Sequence, residues 1–85
     1  MLDEVGFRNQ TMRYRIRLDV YWQGAYLEDL LSSSQHTTLE EAEAAFFNLF
    51  IHCSTTANHY RISLFQEEDE MKHLLKKAVV GNPYR

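Results

Sequence analysis

Residues 12–22 have the sequence MRYRIRLDVYW, and this stretch decides the fold. Every second side chain is apolar or aromatic: Met12, Tyr14, Ile16, Leu18, Val20 and Trp22. Arginine, aspartate and tyrosine occupy the positions between them: Arg13, Arg15, Arg17, Asp19 and Tyr21. Alternation with a period of two predicts a β-strand that buries one face in a core. The length of the alternation and its six apolar side chains predict the centre of a sheet.

The residues after this strand predict a hairpin. Gln23-Gly24 can form a tight turn, and residues 25–27 have the composition of a returning strand. A two-residue loop sets the register, with Trp22 opposite Ala25, Val20 opposite Leu27 and Asp19 opposite Glu28. The last pair brings two like charges together, which is unfavourable. A short helix through residues 26–33 is therefore the alternative prediction.

A helix is predicted to begin after Thr38. Glu41 follows three positions later, at the spacing at which the two side chains can cap each other's backbone amides. The helical spacing predicts a buried stripe of Leu39, Ala42, Ala45, Phe46, Leu49, Phe50 and Cys53. Phe47 and Ile51 widen this apolar surface, which predicts contact with a second element or a partner.

The last third of the chain predicts a third strand and a second helix. Residues 59–65 alternate again and predict a strand. Residues 68–80 predict a helix with a buried stripe of Met71, Leu74, Leu75, Ala78 and Val79. Acidic residues 67–70 would lie at its start, where the helix dipole favours negative charge, and Gly81 and Pro83 would end it.

These elements predict one α+β domain over residues 1–85. Their order is β-β-α-β-α, and the strands would form a three-stranded antiparallel sheet of order 2-1-3 with the long first strand in the centre. Both helices would pack on one face of that sheet in a two-layer sandwich.

Composition excludes several classes of protein. The chain has 85 residues, a net charge of -3, one Cys and 45% hydrophobic residues, which is unlike a disordered or disulfide-rich chain. One cysteine cannot make an internal disulfide or a multi-cysteine zinc module. No apolar run approaches the length that spans a bilayer, and the N-terminus Met1-Leu2-Asp3-Glu4 has a net negative charge from its side chains where a signal peptide is basic. We expect a cytoplasmic protein that does not act at a membrane.

The sequence offers no convincing catalytic, cofactor or metal site. His52, Cys53 and His59 are close in sequence, but Cys53 falls on the buried stripe at the C-terminal end of its helix, where both dipole and burial disfavour a thiolate. The acidic run 67–70 lacks the ligand spacing of a calcium loop. The three glycines form no phosphate loop. We therefore expect no enzyme, no cofactor and no metal.

One face of the predicted sheet would be uncovered and rich in arginine and aromatic side chains. The candidate interaction residues on it are Arg13, Arg15, Arg17, Tyr21, Tyr26, Arg61 and Phe65. Such residues are enriched where protein interfaces bind most strongly. The sequence thus predicts a small regulatory protein, adaptor-like or inhibitor-like, that binds a protein partner through this face and forms a homodimer.

Two other interpretations of this surface stay open. The face could bind single-stranded RNA by stacking bases on its aromatic rings, although the chain is net acidic. It could also be a solvated sheet face whose arginine stems cover apolar surface. The acidic side of the first helix, with Glu40, Glu41 and Glu43, is a second candidate surface that would face a basic partner.

Overall fold

The computed structural model describes residues 12–81 as a sheet covered on one face by a helix. The strands are β1 (Arg13–Trp22), β2 (Ala25–Glu28), β3 (Ser34–His36), β4 (Tyr60–Glu68) and β5 (Met71–Val80), and the helix is α1 (Leu39–Ser54). The sheet is antiparallel, with the order β2-β1-β4-β5, and β3 pairs with β1 beside β2. The acidic residues 1–4 and Pro83 lie outside the described residues.

β1 lies inside the sheet because its alternation gives it one fully apolar face. Ile16 and Leu18 are buried against α1, and β1 pairs with β4 along residues 13–20. Gln23 and Gly24 both have positive φ, the backbone of the tight hairpin turn that matches strand twist. The hairpin register is the predicted one, including Asp19 opposite Glu28, and β2 ends at Glu28.

α1 begins where the sequence predicts. Thr38 is extended at the N-cap and its hydroxyl accepts a hydrogen bond from the Glu41 amide at 3.2 Å. The buried core joins the helix to the sheet: Ile16, Leu18, Ala42, Phe46, Cys53, Ile62, Leu64 and Val80. Leu39 and Phe50, assigned to the buried stripe from the sequence, are instead partly exposed at the flank of α1.

The predicted fold class is wrong in its last element. Residues 71–80 are not a helix but β5, which pairs with β4 along its whole length. The acidic residues at 69–70 form the hairpin turn between the two strands, and Asp69 takes a positive φ there. The described chain therefore contains one helix and a five-stranded antiparallel sheet, not two helices on a three-stranded sheet.

A β-bulge explains why β5 resembles a helix in sequence. The register of β5 against β4 shifts between Leu64 and Phe65, so Leu64 faces Lys76 while Phe65 faces Leu74. The extra residue, Leu75, moves the alternation out of phase halfway along the strand. Apolar residues on both faces of β5 are thereby spaced by three and four positions, the spacing that also indicates a helix.

β3 is the second element that the sequence analysis missed. Its three residues are polar and lie in a stretch for which the sequence predicts no strand, yet they pair with β1 from Tyr14 to Ile16. The loop between β2 and β3 completes this edge of β1. The Leu18 amide donates to the Ser33 hydroxyl at 3.2 Å, and the Leu18 carbonyl accepts from the Asp29 amide at 2.8 Å.

Candidate interaction surface

The sheet face opposite α1, called the open face below, carries all seven predicted interaction residues. Strand alternation places four of them on β1, Tyr26 on β2, and Arg61 and Phe65 on β4, because directly paired residues share a face. β5 adds four side chains to the same face, namely Lys72, Leu74, Lys77 and Val79. No element of residues 12–81 covers this face.

Asp19 is a buried acid that binds two arginines of the open face. It is 1% exposed, and its carboxylate accepts a hydrogen bond from the Arg17 Nε at 2.7 Å. The Arg61 guanidinium donates to the other carboxylate oxygen from Nε at 3.2 Å and from Nη2 at 3.1 Å. Two cations on neighbouring strands are thus fixed by one buried acid, and a charged pair of this kind is stronger than a neutral hydrogen bond.

Glu28 extends this network along β2. It forms an ion pair with Arg15 and lies 3.8 Å from the Arg17 Nε. The like-charge pair of Asp19 and Glu28, which the sequence marks as a cost, is therefore offset by three arginines. The hydrogen bond to Asp19 raises the pKa of Arg17. Desolvation acts in the opposite direction, and the negative charges of Asp19 and Glu28 add to the increase. Arg17 remains a cation under all working conditions.

The open face has more cations than acids. Its basic side chains are Arg13, Arg15, Arg17, Arg61, Lys72 and Lys77, and its acidic side chains are Asp19, Glu28 and Glu67. Glu67 pairs with Arg13 at 3.5 Å. Each arginine has an acidic partner, whereas within residues 12–81 the two lysines make no ion pair. The surplus charge therefore lies toward β5.

Tyr21 and Tyr26 form a closed cluster with His59 at one end of the face. The Tyr21 and Tyr26 rings meet edge to face with centroids 5.2 Å apart, and the Arg61 guanidinium covers the Tyr26 ring at 4.1 Å. His59 is buried behind them. Its Nδ1 lies 3.0 Å from the Gly81 carbonyl, which can only accept, so Nδ1 donates this hydrogen bond; its Nε2 shares a hydrogen bond with the Tyr26 hydroxyl at 2.7 Å. Arg61 and these ring contacts hold Tyr26 in place.

Between β1, β4 and β5 the face has a shallow depression of about 200 Å³. Its lining combines charged and apolar side chains: Arg17, Asp19, Arg61, Ser63, Phe65, Leu74 and Lys77. The Lys72 ammonium lies 4.9 Å from the centre of the Phe65 ring. A side chain that bears a carboxylate on an apolar stem would match this lining.

Several residues of the face were not singled out from the sequence. Lys72 and Lys77 were assigned to a helix, so their place beside Phe65 could not be seen. Asp19 was expected on this face, but its burial was not, because that burial depends on Arg61, 42 positions away in the chain. His59 was not assigned to this face from the sequence, and the structure buries it beside the rings of Tyr21 and Tyr26.

The other candidate groups from the sequence are Cys53, possible metal ligands and the acidic side of α1. Cys53 is buried, and desolvation, with a smaller contribution from the charge of Asp29, raises the pKa of its thiol. Within residues 12–81 no group of three or more His, Cys, Asp or Glu side chains is arranged to hold a metal ion. On the acidic side of α1, Glu40 and Glu41 are exposed, and Glu43 lies 3.8 Å from the Lys76 ammonium.

No family model, curated protein or solved structure matches the chain. Among the described residues no helix has the length and apolar character needed to span a membrane.

Proposed function

We propose that this chain is a non-catalytic protein-interaction module that binds an acidic surface of a partner protein through its open face. The observation that carries this proposal is the surplus of cations on that face, six basic against three acidic side chains, in a chain whose net charge is -3. Charge complementarity of this kind selects partners and speeds their association.

The ion pairs of the face support binding to a folded surface. Arg17 and Arg61 are held by Asp19, and Arg15 is held by Glu28, so these long side chains have lost rotamer freedom before a partner arrives. Binding then costs less conformational entropy than it would for free arginines. Phe65 and Leu74 supply apolar contact area within the same depression.

Single-stranded nucleic acid is the weaker alternative. Base stacking needs an accessible ring face, and the Tyr26 ring is covered by Arg61 and bounded by Tyr21 and His59.

A homodimer that joins two open faces is disfavoured by the same charges. Two copies would place one cationic surface against another, so we propose a different, acidic protein as the partner. Sedimentation equilibrium measures the self-association that the sequence predicts. We also propose a cytoplasmic location, with which the free thiol of Cys53 is compatible.

The proposal is tested by titrating the ¹⁵N-labelled protein with two anionic probes, poly-glutamate and an oligo(U) RNA of equal charge. We expect poly-glutamate to shift the amide resonances of the open-face strands and to bind at least as tightly as the RNA at the same salt concentration. A Lys77→Glu variant should weaken poly-glutamate binding, whereas Lys76→Glu, on the opposite face, is the matched control.

Three outcomes would count against the proposal. Tighter binding of the RNA would favour the nucleic-acid function. Resonance shifts on α1 instead of the sheet would move the site. Equal loss of affinity in the two lysine variants would mean that net charge, and not the open face, drives binding.

A further inference from the structure

The outer edge of β5 is a long, unpaired strand edge. β5 has ten residues, and among residues 12–81 it pairs only with β4. Residues 71–77 are exposed. In an antiparallel pair each strand directs only part of its amides and carbonyls to its partner, so the remaining backbone groups of β5 have no partner strand within residues 12–81. Such an edge is a template for an additional strand.

The opposite edge of the sheet does not offer the same template. β2 has four residues and β3 has three, and the loop between them interrupts the edge. Short, broken edges are a common protection against unwanted strand pairing. An extended segment of a partner would therefore find a continuous run of backbone groups only at β5.

The side chains of β5 are basic. Residues 71–80 contain Lys72, His73, Lys76 and Lys77 and no acid. Lys72 and Lys77 lie on the open face, whereas Lys76 lies on the α1 side and is near Glu43. The charge that a partner strand meets is thus concentrated on its open-face side.

The α1 side of the same edge carries two exposed aromatic side chains. Glu43 faces β5, as its 3.8 Å contact with Lys76 shows, and residues four and seven positions later lie on the same side of a helix. These residues are Phe47 and Phe50, which are 59% and 37% exposed. One face of a strand added beside β5 would lie next to these two side chains.

We propose that β5 binds an extended segment of a partner protein, in which acidic side chains on one face alternate with apolar side chains on the other. Backbone hydrogen bonds to β5 add the segment to the sheet, its acids lie beside Lys72 and Lys77, and its apolar side chains pack toward Phe47 and Phe50. This inference rests on the proposed function, because the added strand widens the open face.

A second copy of this chain does not fit the edge as well. Two β5 strands side by side would bring six lysines and two histidines together with no acid from either strand. Like charges on adjacent strands destabilise pairing. The Lys residues of β5 therefore favour an acidic segment over self-association.

The test uses a short peptide that alternates glutamate with valine, and the same peptide with the backbone amides of one edge N-methylated. N-methylation removes the hydrogen-bond donors and leaves every side-chain charge in place. We expect the first peptide to bind and to slow hydrogen exchange of those β5 amides that exchange quickly in the free protein. When the N-methylated amides are those on the edge that faces β5, the affinity of the peptide should be more than tenfold lower than that of the unmethylated peptide.

Equal binding of the two peptides, or absence of slowed exchange on β5, would overturn the inference. Poly-glutamate would still bind the open face in that case, so the proposed function would survive. If poly-glutamate and the alternating peptide both fail to bind, the inference and the proposed function fail together.

Two exposed-lysine variants place the peptide on the edge. Lys72→Glu with Lys77→Glu should weaken binding of the alternating peptide about tenfold, since two attractive contacts become repulsive. Lys76→Ala, whose ammonium lies near Glu43, should change it less than threefold. A larger effect of Lys76→Ala would contradict the assignment of the peptide's acids to the open-face side.

Discussion

β1 and β5 are both ten residues long and both pair with β4, but they differ at their other edge. β1 is joined there by β2, by β3 and by the loop between them, and its Leu18 is 3% exposed. β5 has no second partner within residues 12–81, and its Leu74 is 51% exposed. One strand holds the core together, and the other is the strand at which we propose that a partner binds.

The largest expected difference between the two strands concerns stability. Leu18→Ala should lower the free energy of unfolding by about 3 kcal/mol, because the residue is packed between α1 and the sheet. Leu74→Ala should lower it by less than about 1 kcal/mol, since half of that side chain is already in water. Urea denaturation followed by circular dichroism measures both.

The matched leucine substitutions also reveal whether something covers β5. Equal losses in the two variants would mean that Leu74 is buried in solution, by a second copy or by residues outside 12–81. Repeating the Leu74→Ala measurement at several protein concentrations separates these two cases.

A smaller difference is expected between two acids of the open face. Asp19→Asn should cost about 1.5 kcal/mol, because Arg17 and Arg61 lose a buried partner while their own one-third exposure screens the loss. Glu67→Gln, at an exposed pair with Arg13, should cost less than about 0.5 kcal/mol. Thermal unfolding of the two variants at neutral pH checks the order.

The Asp19→Asn variant also tests whether Asp19 is the acid that stabilises the open face. If it unfolds at the wild-type temperature, the Asp19 network does not stabilise the sheet. If Glu67→Gln is the more damaging substitution, the acid that stabilises the open face lies at the Arg13 end.

The interior of the molecule could be predicted from local sequence. In β1 burial of one face imposes strict alternation, and at Thr38 the capping geometry fixes the helix start, so the hairpin register and the beginning of α1 are confirmed. Both are local patterns with a single physical cause. The position of β1 between β2 and β4 followed from its apolar face.

β5 and β3 could not be predicted in the same way. β5 is exposed on both faces, so burial imposes no alternation, and the bulge near Leu75 changes its phase. What makes these residues a strand is the free edge of β4, which is a tertiary property. β3 depends likewise on the edge of β1. The sequence placed the arginines and aromatic rings of β1, β2 and β4 on the open face, but the lysines of β5 were lost with the strand.

Residue-resolved amide hydrogen exchange of the free protein tests most directly whether β5 is a strand with one free edge. The account predicts slow exchange for interior amides of β1 on both edges. Along residues 71–80 it predicts an alternation of slow and fast exchange that changes phase at the bulge near Leu75, with the fast amides pointing away from β4. Uniformly slow exchange over residues 71–80 would contradict it, because every amide there would then already have a partner.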